Sequence, residues 1–142
     1  GKIDHIGIAV TDLTKSINYY RNLLNFNLIN EKSLIEHDIK VAFLKKFETS
    51  IELLQPITFK SFETGLLKEF TVNNFILKNK NDGIHHFCIQ TRDIEKTAQM
   101  LSEKGIEKIS NDEDWKGSDG SPICFFNTQN IFGYLLEIKQ LI

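Results

Sequence analysis

Apolar and polar positions alternate over residues 2–10, K-I-D-H-I-G-I-A-V, and again over residues 84–91, I-H-H-F-C-I-Q-T. A period of two predicts a half-buried strand in each place. An aspartate follows each strand, Asp12 or Asp93. Apolar positions at helical spacing come next: Leu13, Ile17, Tyr20 and Leu24 in the first case, Ile94, Ala98 and Leu101 in the second. An N-capping aspartate ahead of such a stripe predicts a helix, and Gly105 supplies a stop for the second one. Three strand-like segments come after each helix, roughly 26–35, 39–46 and 50–54 in the first half and roughly 106–110, 123–127 and 132–139 in the second. The expected fold is therefore α+β, two β-α-β-β-β modules within one domain, residues 1–142, whose sheets curve around a single site. Module one covers about residues 1–57, a connecting segment about 58–83 and module two about 84–142. Within the connection, residues 62–75 read as partly helical and 78–83 as turn-rich. The polar stretch 111–121, with Gly117 and Gly120, reads as a loop.

The two halves share more than their order of elements. His5 and His86 are separated by 86 − 5 = 81 positions, and Asp12 and Asp93 by 93 − 12 = 81. A glutamate comes late in each half, Glu52 in S-I-E-L-L and Glu137 in L-L-E-I-K. Strand alternation puts His5 on one face with Gly7 and Ala9, and His86 on one face with Cys88 and Gln90. Ile6, Ile8 and Val10 take the opposite face, as do His85, Phe87 and Ile89. One face thus reads as core. The other, with His, Glu and small residues, suits the lining of a cavity. A carboxylate between apolar strand neighbours is costly to bury unless it meets a metal, a cavity or a partner. Two imidazoles and two carboxylates, one of each per repeat, form a ligand set suited to a divalent metal. His85 faces away and reads as structural. His37, between Glu36 and Asp38, reads as a solvated turn residue.

Composition narrows the classes. The chain is long enough to bury about two-thirds of its unfolded surface without disulfide staples. Cys88 and Cys124 lie in apolar runs without metal-type or redox spacing, which indicates reduced, structural thiols and a cytoplasmic location. A net charge of −2 with no basic stripe excludes a nucleic-acid partner. No apolar run reaches transmembrane length and no secretory leader pattern is present, so no membrane partner is expected. Three features carry two readings each. Trp115 and Lys116 either clamp a substrate or belong to a surface loop. Lys40, Lys45 and Lys46 either meet phosphates or form a solvated face. Residues 55–83, with Phe59, Phe62, Phe70 and Phe75, either border the pocket or a dimer interface and so set substrate choice, or form a surface insertion with its own apolar cluster.

The motifs I-D-H-I-G-I-A-V-T-D-L, V-A-F-L, I-E-L-L-Q-P, G-I-H-H-F-C-I and L-L-E-I resemble, over the whole chain, the vicinal-oxygen-chelate superfamily of glyoxalases, bleomycin-resistance proteins and dioxygenases. Within it the G-I-H-H doublet is most similar to the methylmalonyl-CoA epimerases. The resemblance implies paired modules around one divalent ion (Co²⁺, Ni²⁺, Mn²⁺, Zn²⁺ or Mg²⁺) held by His5, Glu52, His86 and Glu137. It implies an isomerase that moves a proton α to a carbonyl in a small acyl-CoA or other thioester. Within that chemistry, the equivalent places of Glu52 and Glu137 in the two copies make them the expected acid–base pair. A homodimer is expected with it. Some relatives carry a further glutamate in the V-A-F-L strand, where this chain has Val41. The alternatives are glyoxalase I, a lyase using the same ligand set on a glutathione adduct, and a resistance-type protein that binds a small molecule without catalysis.

Overall fold

The computed structural model describes residues 2–59, 71–109, 116–117 and 119–142. They form β1 (Ile3–Ala9), α1 (Leu13–Asn22), β2 (Asn27–Leu34), a 3-10 turn (Ile35–His37), β3 (Ile39–Lys46), β4 (Thr49–Pro56), α2 (Val72–Asn79), β5 (Gly83–Thr91), α3 (Ile94–Glu103), β6 (Ile123–Phe126), α4 (Gln129–Phe132) and β7 (Leu135–Gln140). The chain divides into two compact units, residues 5–85 and residues 1–4 with 86–142. Among the described residues no helix is long and apolar enough to cross a membrane.

In the unit of residues 5–85, β1 pairs in parallel with β4, β4 antiparallel with β3, and β3 antiparallel with β2. The alternation of β3 and β4 sends Ala42, Leu44, Ile51 and Leu53 to one face. There they form a core with Val10 and with Leu13 and Ile17 of α1. Each leucine, isoleucine or valine among them, fully buried, contributes about 1.5–3 kcal/mol. Asp12 caps α1 as its position requires, accepting from Lys15 N–H at 3.0 Å. The opposite face is not purely polar. Ala9, Val41 and Leu54 form a second apolar cluster with Val72 and Ile76 of α2. Thr71 caps α2 by accepting from Asn74 N–H at 3.2 Å. Asn73 is buried and donates through Nδ2 to Asp38 Oδ2 at 2.7 Å, where Thr58 Oγ1 also donates at 2.6 Å. Those bonds moor α2 to the turn after β2.

In the unit of residues 1–4 and 86–142, β5 pairs in parallel with β7, and β7 antiparallel with β6. Cys124, Phe126 and Ile138 are packed by Ile94, Ala98 and Leu101, the stripe expected of α3. Asp93 caps that helix, accepting from Lys96 N–H at 3.0 Å. Gly105 follows it at φ +86°, a conformation that favours glycine.

Three boundaries differ from the sequence reading. The strand expected over 106–110 is, among the described residues, an isolated bridge of Lys108 to Phe126. The strand expected from residue 132 begins at Leu135 instead. The reason is local: Phe132 N–H returns to Thr128 O at 2.8 Å, and Gly133 at φ +82° ends the helical turn. Helix α2 runs to Asn79, past the start of the expected turn, and closes on Lys80 in the left-handed region. Of the aromatics in the connection, Phe62 and Phe70 lie outside the described residues, as does Trp115.

Candidate functional site

Each unit holds one histidine–glutamate pair, built the same way. In the parallel ladder of β1 and β4, Gly7 stands opposite Glu52. His5 precedes Gly7 by two residues and so shares its face. His5 Nε2 lies 3.9 Å from Glu52 Oε1. In the ladder of β5 and β7, Cys88 stands opposite Glu137, and His86 precedes it by two. His86 Nε2 lies 3.3 Å from Glu137 Oε1. Both pairs are thus diagonal neighbours across a parallel ladder. The side chains of His5 and Glu52 retain 11% and 12% of their exposure, those of His86 and Glu137 only 3% and 7%. The first pair is the more accessible.

The flanks repeat as well. Phe43 of β3 stands opposite Glu52, and Phe125 of β6 opposite Glu137. The His86 ring meets the Phe125 ring edge-on, with centroids 5.7 Å apart. Each carboxylate therefore has an aromatic on one side and a small residue, Gly7 or Cys88, on the other. An apolar flank lowers the local dielectric and strengthens every charge interaction there. The sequence carries these flanks in V-A-F-L and I-C-F-F, where strand alternation alone does not show which carboxylate each aromatic stands beside.

Beyond the pair, the two faces diverge. Two residues past Glu52 stands Leu54, under α2. Two past Glu137 stands Lys139, whose ammonium lies 2.6 Å from Asp119 and 3.4 Å from Asp4. Gln90 Nε2 also donates to Asp4 Oδ1, at 2.7 Å. Burial pushes the Asp119 carboxyl up, but hydrogen bonds from Lys139 and Ser121 and the Lys139 charge outweigh it and hold the group below the usual range. Burial likewise depresses Lys139, and the two carboxylates more than restore it, leaving it raised.

His85 is buried and lies edge-on to Phe75, centroids 5.5 Å apart. A Cβ on Gly83 would sit 3.3 Å from the Phe75 ring and 3.1 Å from Asn79 Nδ2. The glycine of G-I-H-H thus lets α2 approach the strand. His37 is exposed in the 3-10 turn. The lysine trio separates: Lys46 Nζ donates to Leu24 O at 2.8 Å, beyond the end of α1. Lys45, two residues from Phe43, is on the face of Glu52, and Lys40 is on the other. Lys116 is exposed and bridges Pro122. Cys88 and Cys124 are buried. Burial, with help from Glu137 and against Lys108, pushes the Cys124 thiol up to about 11.

A histidine and a carboxylate placed this way can present nitrogen and oxygen lone pairs to a cation. Residues 4–125 match the model of the glyoxalase/bleomycin resistance protein/dioxygenase superfamily. The chain belongs to that superfamily. It is 34% identical over 140 residues to the mitochondrial methylmalonyl-CoA epimerase of Mus musculus, covering 99% of this chain and 73% of that one. It is 31% identical to the ethylmalonyl-CoA/methylmalonyl-CoA epimerase of Cereibacter sphaeroides, covering 99% of this chain and 98% of that one. Among solved structures, the Streptomyces coelicolor methylmalonyl-CoA epimerase in complex with 2-nitronate-propionyl-CoA is similar at a TM-score of 0.77 and 27% identity, covering 98% of this chain and 96% of that chain. The fold is glyoxalase-like, and the relatives place the chain among epimerases, an isomerase class.

Proposed function

We propose that this protein epimerises methylmalonyl-CoA or a closely related 2-acyl thioester, as a cytoplasmic homodimer dependent on one divalent metal ion. The observation that carries the reading is the duplicated pair, His5 with Glu52 and His86 with Glu137, at 3.9 and 3.3 Å on corresponding strands. The activities of those relatives support the choice of substrate class.

The donor set fits a divalent ion. Two neutral imidazoles and two carboxylates balance a double positive charge, and mixed nitrogen and oxygen donors suit Co²⁺, Ni²⁺, Mn²⁺, Zn²⁺ or Mg²⁺. His5, Glu52, His86 and Glu137 are the proposed ligands. Such an ion, when bound, supplies Lewis-acid stabilisation of the negative charge that develops on the substrate carbonyl.

Epimerisation removes the α-proton from one face of the carbon and returns a proton to the other. Glu52 and Glu137 hold equivalent places in the two repeats and are proposed as the two proton carriers, one per face. Val41 cannot share this work, since it is an apolar side chain 1% exposed in the cluster beneath α2. Phe43 and Phe125, beside the two carboxylates, keep water from competing for the proton.

The direct test is deuterium wash-in at the α-carbon of methylmalonyl-CoA in D₂O, run beside a methylglyoxal–glutathione assay. Exchange with the first and no turnover of the second is the expected result. No exchange into any 2-acyl thioester would refute the proposal.

A further inference from the structure

Three residues after each glutamate comes a glutamine: E-L-L-Q closes β4 and E-I-K-Q closes β7. The two amides make the same connection. Gln55 Oε1 accepts from Leu13 N–H at 2.6 Å, and its Nε2 donates to Pro56 O at 3.2 Å. Gln140 Oε1 accepts from Ile94 N–H at 2.8 Å, and its Nε2 donates to Arg92 O at 2.7 Å and to Leu141 O at 2.9 Å. Leu13 and Ile94 open the helices that follow the histidine strands, and each lies eight residues past its histidine (13 − 5 = 94 − 86 = 8). In both units, one amide thus ties the end of the glutamate strand to the element that closes the histidine strand.

We propose that Gln55 and Gln140 are positioning residues for the metal site. Each holds its glutamate strand in register against its histidine strand, so that the two ligand atoms stand at a fixed separation. This rests on the metal-dependent reading given above.

Helix capping alone does not account for the arrangement. Asp12 and Asp93 already cap their helices through the third N–H of each first turn. The glutamine reaches in from a different strand to take the first N–H, and it is anchored at its other end. It stands where the ladder runs out. The pairing of β1 with β4 ends at Ala9 and Leu54, two residues past Glu52, and that of β5 with β7 ends at Gln140 itself. A slip of one residue would turn the glutamate to the wrong face. Even a small drift matters, because metal–ligand distances hold to within about 0.2 Å. Neither glutamine is bonded to a histidine or glutamate of the pair in any of these contacts, so each acts through the strands.

The experiment titrates the whole chain with Co²⁺ by calorimetry, records the visible absorption of the loaded protein, and follows thermal unfolding in parallel. In Gln55→Leu the Co²⁺ Kd is expected to rise about tenfold, the lower end of the usual effect of outer-shell changes, with shifted absorption bands. Gln55→Glu keeps an oxygen acceptor for Leu13 N–H and places a negative charge at a helix N-terminus, losing only the longer 3.2 Å bond to Pro56 O, so its Kd is expected within about twofold of the parent. Should Q55L fail to fold, Gln55→Asn, one methylene short of Leu13, replaces it in the same comparison. A lowered Tm with unchanged Co²⁺ affinity and spectrum would mark the glutamine as merely structural and overturn the inference. Equal losses in Q55E and Q55L would overturn it too. Parent protein that takes up no Co²⁺ refutes the metal reading itself, an outcome distinct from a parent that binds and a Q55L that binds equally well.

Discussion

His86 Nε2 lies 3.3 Å from Glu137 Oε1, with both side chains almost wholly shielded from water. Burying an imidazole and a carboxylate together is expensive, and replacing such a pair with apolar side chains is often neutral or stabilising. Its recurrence at 3.9 Å between His5 and Glu52 points to use rather than stability. His86→Ala is therefore expected to weaken divalent-metal binding by more than about 100-fold, beyond the range of outer-shell substitutions. It should also cost about 1–3 kcal/mol through the buried carboxylate left without its imidazole. His85→Ala, which removes a ring packed on Phe75, should leave metal binding intact. The bound stoichiometry should be one ion per chain, lost with either His5 or His86. Two ions per chain, each lost with one histidine, would mean that the pairs work separately.

The assignment of one proton carrier to each face makes a stereochemical prediction. Glu52→Gln and Glu137→Gln should each lower epimerisation by about 10²–10⁴-fold, the usual worth of a general acid–base group. Each variant should still exchange the α-proton of one epimer and fail with the other, the two showing opposite preferences. Chirally pure substrate, D₂O and mass analysis of the recovered epimers read this out. Variants that lose exchange from both epimers equally would leave the glutamates as ligands only.

The repeat was legible because the two histidine–glutamate pairs use the same residue types at the same alternation, and His5, His86, Asp12 and Asp93 keep one spacing. Glu52 and Glu137 are 137 − 52 = 85 apart rather than 81, so the second copy carries four more residues between its aspartate and its glutamate. The glutamines are not legible although E-x-x-Q occurs in both copies, because a strand-end glutamine reads as a solvated polar residue until its partner 42 or 46 positions away is known. The cluster of Val41, Leu54, Val72 and Ile76 is hidden in the sequence for a related reason. Alternation sorts side chains to faces, but it does not say what covers a face. Thr128 and Gly133 set the start of β7 through a helical turn too short for periodicity to mark.

Cys124 offers a test in alkali. Burial holds its thiol protonated to about 11 against an unfolded value of 9.0. The unfolded chain loses this proton first, so stability should be unaffected below pH 9 and fall between pH 9 and 11. Lys139, raised by its carboxylates, adds a loss in the same direction at higher pH. The thiol's share is about 2–3 kcal/mol at most. Urea midpoints measured from pH 8 upward should drop less steeply in Cys124→Ala than in the parent, once the lower starting stability is subtracted. Identical slopes would show that the thiol ionises freely in the folded protein.

Helix α2 offers a last test, because it covers the face that carries Glu52. Ile76 and Val72 pack on Leu54 and Val41, and Leu54 follows Glu52 by two residues on the same strand face. If this cluster bounds the space beside the reacting carbon, shrinking it should admit a larger α-substituent. Ile76→Ala should cost roughly 2–4 kcal/mol of stability, the usual consequence of a cavity at a buried isoleucine. It should also raise kcat/KM for ethylmalonyl-CoA relative to methylmalonyl-CoA by about tenfold, since one methylene in an apolar pocket is worth about 1–3 kcal/mol. Ile76→Val, costing about 0.5–1.5 kcal/mol, should shift the ratio in the same direction by less. The two ratios, measured on folded protein with equal metal content, separate the two roles open to this segment. If stability falls in both variants and the ratio stays at the parent value, α2 is packing alone and substrate choice is set elsewhere.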